Sequence, residues 1–205
     1  APAPSAGALP KLRLVQRCCC SGHTATVTHI DWSADGTLLM SNCAAHEILV
    51  WGAGDGKRLA QPGRALALAH WHDWTCYLGF PVQGIWPAGS NPTDVNAVHM
   101  TADRSLLLCA GDAGGLQLFN APCVVEGAPY VVGTGHCTAI TGCRFLLGDR
   151  TAVSTGGGDR SVMLWRLVRS GGGEQGGGAR GARGYVAALP DMPRRACMLN
   201  NPPTG

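Results

Sequence analysis

Charge, aromatic rings and long apolar runs are all scarce in this chain. Charged side chains make up 14% of the 205 residues and aromatics 6%, and no uninterrupted apolar stretch reaches membrane-crossing length. With 45% apolar residues, so little charge excludes a solvated polyelectrolyte, and one globular domain with a real core is expected. No long helical periodicity is present, which argues against a helical bundle. Cys-x-x-Cys is missing despite ten cysteines, and so is the Gly-x-Ser-x-Gly elbow of a serine hydrolase. Residues 1–10 (Ala-Pro-Ala-Pro-Ser-Ala-Gly-Ala-Leu-Pro) lack the basic start and apolar core of a signal peptide. A reducing compartment is therefore expected, with most thiols free and buried as small hydrophobes. Cys18, Cys19 and Cys20 are too close along the chain to surround one metal, and their S-acylation would lack a second membrane signal.

Glycine (30 residues) and proline (13 residues) are plentiful instead, which favours short strands joined by tight turns. The net charge of +3 is unevenly spread. Lys11, Arg13 and Arg17 precede the first cysteine, residues 18–168 carry 8 basic and 11 acidic side chains, and the remainder carries 5 basic and 2 acidic. Basic ends on a mildly acidic body suit an acidic partner such as tubulin, a nucleic acid or a membrane surface; solvated tails are also often basic without a partner. The Ala/Pro-rich leader at 1–10 and the Gly/Arg/Pro-rich tail at 169–205 are expected to be disordered, leaving 11–168 as the folded part.

Within that part a segment recurs. One copy runs from Gly22-His23 through Val27-Thr28-His29-Ile30-Asp31-Trp32 and Asp35-Gly36 to Glu47-Ile48-Leu49-Val50-Trp51. Another runs from Gly135-His136 through Ile140-Thr141-Gly142-Cys143-Arg144-Phe145 to Asp159-Arg160-Ser161-Val162-Met163-Leu164-Trp165. His23 and Trp51 are 28 positions apart, His136 and Trp165 29. A copy without Gly-His lies between them, from Asp94-Val95 to Leu118-Phe119, and Val95 to Phe119 spans the same 24 positions as Val27 to Trp51. Each copy is a set of Val/Ile/Leu-rich runs broken by Asp-Gly, Gly-Asp or Gly-Gly turns, which predicts β-meanders. A further strand is expected before each Gly-His or its equivalent, at 11–17, about 77–86 and about 129–133. The repeats are then about 11–51, 76–119 and 129–165, with twelve strands in all.

This pattern resembles the WD-repeat β-propellers, where a Gly-His lies between blades and a Trp-Asp-like pair ends the third strand. The fold class it implies is all-β: an incomplete propeller of about three four-stranded blades, because three repeats are too few to close a ring. The resemblance also implies a structural tetrad of histidine, Ser/Thr, aspartate and tryptophan. His136, Thr155, Asp159 and Trp165 match it in the last copy. In the first, His23, Ser41 and Trp51 match, and Ala45 stands where the aspartate would align. The middle copy has Cys109 and Phe119 at the corresponding places.

A narrower resemblance covers residues 20–168. Cys20-Ser21-Gly22-His23, His29-Ile30-Asp31-Trp32-Ser33 and the aromatic insertion Trp74-Thr75-Cys76-Tyr77-Leu78-Gly79-Phe80-Pro81-Val82-Gln83-Gly84-Ile85-Trp86-Pro87 are similar to the C-terminal propeller of the echinoderm microtubule-associated protein-like family. That likeness implies a non-enzymatic scaffold, cytoplasmic and associated with the microtubule cytoskeleton, that binds tubulin or other proteins. The alternative is a general WD-repeat scaffold of another protein or ribonucleoprotein complex. Family members carry tandem propellers and often a basic, coiled-coil-forming N-terminus, so the chain is expected to be a fragment that needs its missing blades. The strand at 11–17 could instead pair with the last blade.

Ser, His and Asp recur at equivalent places in the repeats, which argues for bracing rather than a hydrolase triad. Gly52-Ala53-Gly54-Asp55-Gly56-Lys57-Arg58 has Trp51 at the first glycine position of a phosphate loop and Arg58 in place of its Ser/Thr, so it reads as a turn. His70, His72 and Cys76 lack a fourth ligand for zinc. No metal, cofactor, membrane or nucleic-acid partner is expected; Arg180 and Arg183 have too few interleaved aromatics for RNA. Candidate partner-binding residues are Lys11, Arg13, Arg17, Trp71 and Trp74. The rings of Trp71, Trp74, Tyr77, Phe80 and Trp86 either cover a blade edge or form a protein-binding patch.

Overall fold

Three antiparallel sheets follow one another along the chain in the computed structural model, which describes residues 13–86, 89, 94–146, 148–169 and 185–187. The leader at 1–10, Lys11 and most of the tail at 169–205 lie outside the described residues. The first sheet contains β1 (Val27–Trp32), β2 (Leu38–Cys43) and β3 (Ile48–Gly52). The second contains β4 (Val95–Met100), β5 (Leu106–Gly111), β6 (Gly115–Asn120) and β7 (Tyr130–Thr134). The third contains β8 (Ile140–Phe145), β9 (Thr151–Gly156), β10 (Val162–Arg169) and β11 (Tyr185–Ala187). These are successive blades of an incomplete β-propeller. Among the described residues no helix is long and apolar enough to cross a membrane.

The blades share one register. Each first strand bulges near its start, between Val27 and His29, Val95 and Ala97, and Ile140 and Gly142. Hairpin turns are closed by local carboxylates in the first two blades. Asp35 accepts from the Ser33 hydroxyl (2.6 Å) and the Thr37 N–H (3.0 Å), and Asp103 from the Thr101 hydroxyl (2.7 Å) and the Ser105 N–H (3.0 Å). Alternation sends the two faces of the central sheet into different cores. Val98, Met100, Leu107, Cys109 and Phe119 pack with Met40, Val50, Trp71 and Trp74, whereas Leu106, Leu108, Leu116 and Leu118 pack with Ile140, Phe145 and Trp165.

Strand placement differs from the sequence expectation in three ways. Residues 80–85 form a 3-10 helix (Phe80–Ile85), because Gly79 at φ 123° breaks the extended run and Pro81 can donate no ladder bond. This helix lies on the loop after β6 instead, with Gly84 N–H donating to Cys123 O (2.8 Å) and Cys123 N–H to Pro81 O (2.8 Å). The strand before His136, β7, pairs with β6 and so completes the preceding blade. Residues 13–17 form no strand, and their side chains are exposed. The outer edge of the third blade is taken by β11, with Leu167 opposite Ala187 and Arg169 opposite Tyr185. The insertion also carries the short helix α1 (Pro62–Leu68), whose first position holds a proline already set at helical φ.

Candidate functional site

The third blade draws four side chains from separate places in the chain into one buried chain of hydrogen bonds. Trp165 on β10 donates its Nε1–H to Ser154 Oγ on β9 (2.7 Å), and that hydroxyl lies 2.8 Å from Nε2 of His136. On the other side of the ring, Nδ1 is 2.7 Å from Asp159 Oδ2. A carboxylate only accepts, so Nδ1 carries the proton and Nε2 accepts from Ser154. Burial pushes the Asp159 carboxyl up, but hydrogen bonds from His136 and Ser161 outweigh it and hold the group below its ordinary value.

Ser154 corrects the sequence assignment of Thr155. Cross-strand register places Ser154 opposite Cys143 and Met163, as Ser41 lies opposite Ile30 and Leu49. The β9–β10 hairpin is one residue longer than β2–β3, so counting ten positions back from tryptophan lands one residue late. Strand alternation then turns Thr155 to the opposite face, where its hydroxyl meets that of Thr141 (3.1 Å).

In the first blade, Trp51 donates to Ser41 Oγ (2.7 Å), which lies 2.7 Å from His23 Nε2. The acid missing at Ala45 is supplied by Glu47, whose longer side chain brings Oε2 to 3.3 Å from His23 Nδ1. The same oxygen accepts from the Thr24 N–H (2.9 Å) and the Cys43 thiol (3.1 Å), bonds that lower the Glu47 carboxyl to about 2. In the middle blade Cys109 and Phe119 occupy the serine and tryptophan positions. Both are buried, and burial, with the Cys123 thiol nearby, pushes Cys109 up to about 12.

The tryptophans offered as partner-binding residues are structural. Trp71 and Trp74 are each 3% exposed and meet edge to face at 6.3 Å, so neither is open to a partner. They cover the blade edge because Asp31 holds the insertion down. Its carboxylate, itself buried, accepts from Thr75 N–H (2.8 Å), Thr75 Oγ1–H (2.9 Å) and Cys76 N–H (2.8 Å). Sequence reasoning missed this anchor, whose only signal was an acid in an otherwise β-forming run. Arg13 and Arg17 are exposed, and Lys11 lies outside the described residues. His72 is exposed beside Asp73 (3.4 Å), apart from the buried Cys76. The first strands of the three blades converge on a cavity of about 330 Å³ lined by His29, Thr75, Val98 and Arg144.

Residues 10–167 match the echinoderm microtubule-associated protein second β-propeller. The chain is 40% identical over 149 residues to "Echinoderm microtubule-associated protein-like 1" of Mus musculus, covering 73% of this chain and 18% of that protein. It is 38% identical over 149 residues to "Echinoderm microtubule-associated protein-like 4" of Xenopus laevis, covering 73% and 16%. The chain therefore spans less than a fifth of the length of these relatives. Among solved structures, the C-terminal WD40 domain of Sif2 superimposes at a TM-score of 0.49 and 17% identity, over 72% of this chain and 45% of that one.

Proposed function

Because the chain belongs to the echinoderm microtubule-associated protein-like family, we propose that it is a non-enzymatic interaction scaffold of the microtubule cytoskeleton in the cytoplasm, binding tubulin through propeller loops and the basic segment before β1. The observation that carries this reading is the use made of the Ser/His/Asp groups. Both ring nitrogens of His136, and both of His23, are engaged in tying strands together, so the residues that imitate a hydrolase triad serve the fold. Rigid blades then present loops on a common rim, which suits recognition of a large protein surface. The exposed Arg13 and Arg17 supply the charge complement to an acidic partner.

Cosedimentation of the 205-residue chain with polymerised tubulin tests the proposal. The chain should pellet with microtubules, less so as salt is raised, and Arg13→Ala/Arg17→Ala should weaken the association. No cosedimentation at either low or high ionic strength would overturn it.

A further inference from the structure

The first blade departs from the other two at one register position, and the departure assembles three metal-ligating atoms. The last residue of the second strand is glycine in the middle and third blades, Gly111 and Gly156, but Cys43 in the first. A Cβ at Gly156 would coincide with the Asp159 carboxylate, so the third blade admits no side chain there. In the first blade the carboxylate comes instead from Glu47, which frees that space for a thiol. Cys43 Sγ lies 3.1 Å from Glu47 Oε2, His23 Nδ1 lies 3.3 Å from the same oxygen, and the three donor atoms are all within 4.8 Å of one another.

We propose that His23, Cys43 and Glu47 form a binding site for a divalent transition metal of the zinc class, held through Nδ1, Sγ and a carboxylate oxygen. Zinc takes nitrogen, sulfur and oxygen ligands at about 2.0–2.3 Å, so tetrahedral neighbours stand about 3.3–3.6 Å apart. The two separations to Glu47 are already within a few tenths of an ångström of that spacing. The mixed donor set favours zinc over calcium or magnesium, which take oxygen. Cys43 is fully buried and the His23 side chain 6% exposed, while the Glu47 side chain is 31% exposed and marks the entrance. Three protein ligands leave the fourth position for water.

Binding has a defined proton balance. The carboxylate is already ionised, and the Cys43 thiol gives its proton to solvent as the sulfur–metal bond forms. With Nδ1 bound to the metal, the ring proton of His23 sits on Nε2 and is donated to Ser41 Oγ, 2.7 Å away, whose own hydroxyl hydrogen turns off Nε2. The third blade is an internal control. His136 and Asp159 reproduce the nitrogen and the carboxylate at 2.7 Å, but the sulfur is missing at Gly156.

The test uses the full chain, with Cys18→Ser, Cys19→Ser, Cys20→Ser, Cys137→Ser and Cys197→Ser to remove competing thiols. Zn²⁺ titration by calorimetry should show one site, and Co²⁺ should give a thiolate-to-cobalt charge-transfer band. Cys43→Ser and Glu47→Gln should each weaken Zn²⁺ by about tenfold or more, since even outer-shell partners of a metal site cost that much. Cys43→Ser should also abolish the band. Near-ultraviolet circular dichroism identifies variants that remain folded, and Cys43→Ala serves if Cys43→Ser does not. Absence of Zn²⁺ binding by the parent chain, or unchanged affinity and band in a folded Cys43 variant, would overturn the proposal.

Discussion

Replacing Ser154 by alanine separates the structural assignment of the tetrad from the one obtained by counting along the sequence. The mutation deletes an oxygen that accepts the Trp165 Nε1–H at 2.7 Å and bonds His136 Nε2 at 2.8 Å, in a place closed to water. Each buried polar group left without a partner costs about 1–3 kcal/mol, and the ring nitrogens involved are two, so a loss of about 2–6 kcal/mol is expected. Thr155→Ala removes a hydroxyl that meets Thr141 in a part-exposed setting, worth no more than about 1 kcal/mol. Urea unfolding followed by tryptophan fluorescence reads both, since the two variants should share the wild-type slope and differ in midpoint. Thr155→Ala destabilising as much as Ser154→Ala, or Ser154→Ala leaving the midpoint in place, would refute the reasoning.

Asp31→Ala should cost about 3 kcal/mol or more by stranding the Thr75 and Cys76 donors, and the near-ultraviolet dichroism of Trp71 and Trp74 should collapse with it. Iodoacetamide on the native chain at pH 8 should label Cys18, Cys19 and Cys137, which are exposed, long before Cys76, Cys109 and Cys143, whose thiols burial pushes up; peptide mass mapping reads the order. Gly156→Ala should be strongly destabilising, and adding Asp159→Ala should cost less than the sum of the two single mutations, because it removes the carboxylate atoms that the new Cβ meets and leaves only His136 Nδ1 close to it. Urea midpoints of the four members of that cycle measure the coupling.

The strands were legible in the sequence because β-branched runs and Asp-Gly turns alternate on a short period, and the Gly-His and Trp positions set the repeat. Blade boundaries were not, because β7 adjoins His136 in sequence yet bonds β6, so the repeat and the blade are out of phase. The aromatic run at 77–86 has β-forming residues, but Gly79 and Pro81 deny it extended backbone and ladder donors. For Trp71 and Trp74 the sequence left blade-edge cover and a partner-binding patch both open; what decides for cover is the docking of the insertion on β1, through bonds such as that from Thr75 N–H to Asp31, 44 residues away. Glu47 escaped notice because alignment by position looked for an acid at Ala45, whereas a side chain longer by one methylene reaches the same imidazole from elsewhere on the hairpin. Apart from Gly79 and Pro81, which the sequence displays, the missing information is three-dimensional: which strand β7 bonds, or a partner far along the chain.

The common register also accounts for the apolar side chains that stand in solvent. Ile30 and Trp32 occupy in β1 the places of Val98 and Met100 in β4. The latter pair is buried because the first blade packs on it; Ile30 and Trp32 are 55% and 48% exposed because, among the described residues, no sheet lies on that face. On the opposite flank Val162 and Leu164 correspond to Leu116 and Leu118, which are buried by the third blade, and they are 68% and 73% exposed. Full burial of one such side chain contributes about 1.5–3 kcal/mol, so the two flanks together hold a large unrealised stabilisation. Their composition is that of blade-facing surface, matched in register to a sheet. A molecule covering Ile30 and Trp32 would be acting as a neighbouring blade, which leaves the loops and the exposed segment around Arg13 and Arg17 for the tubulin contact proposed above.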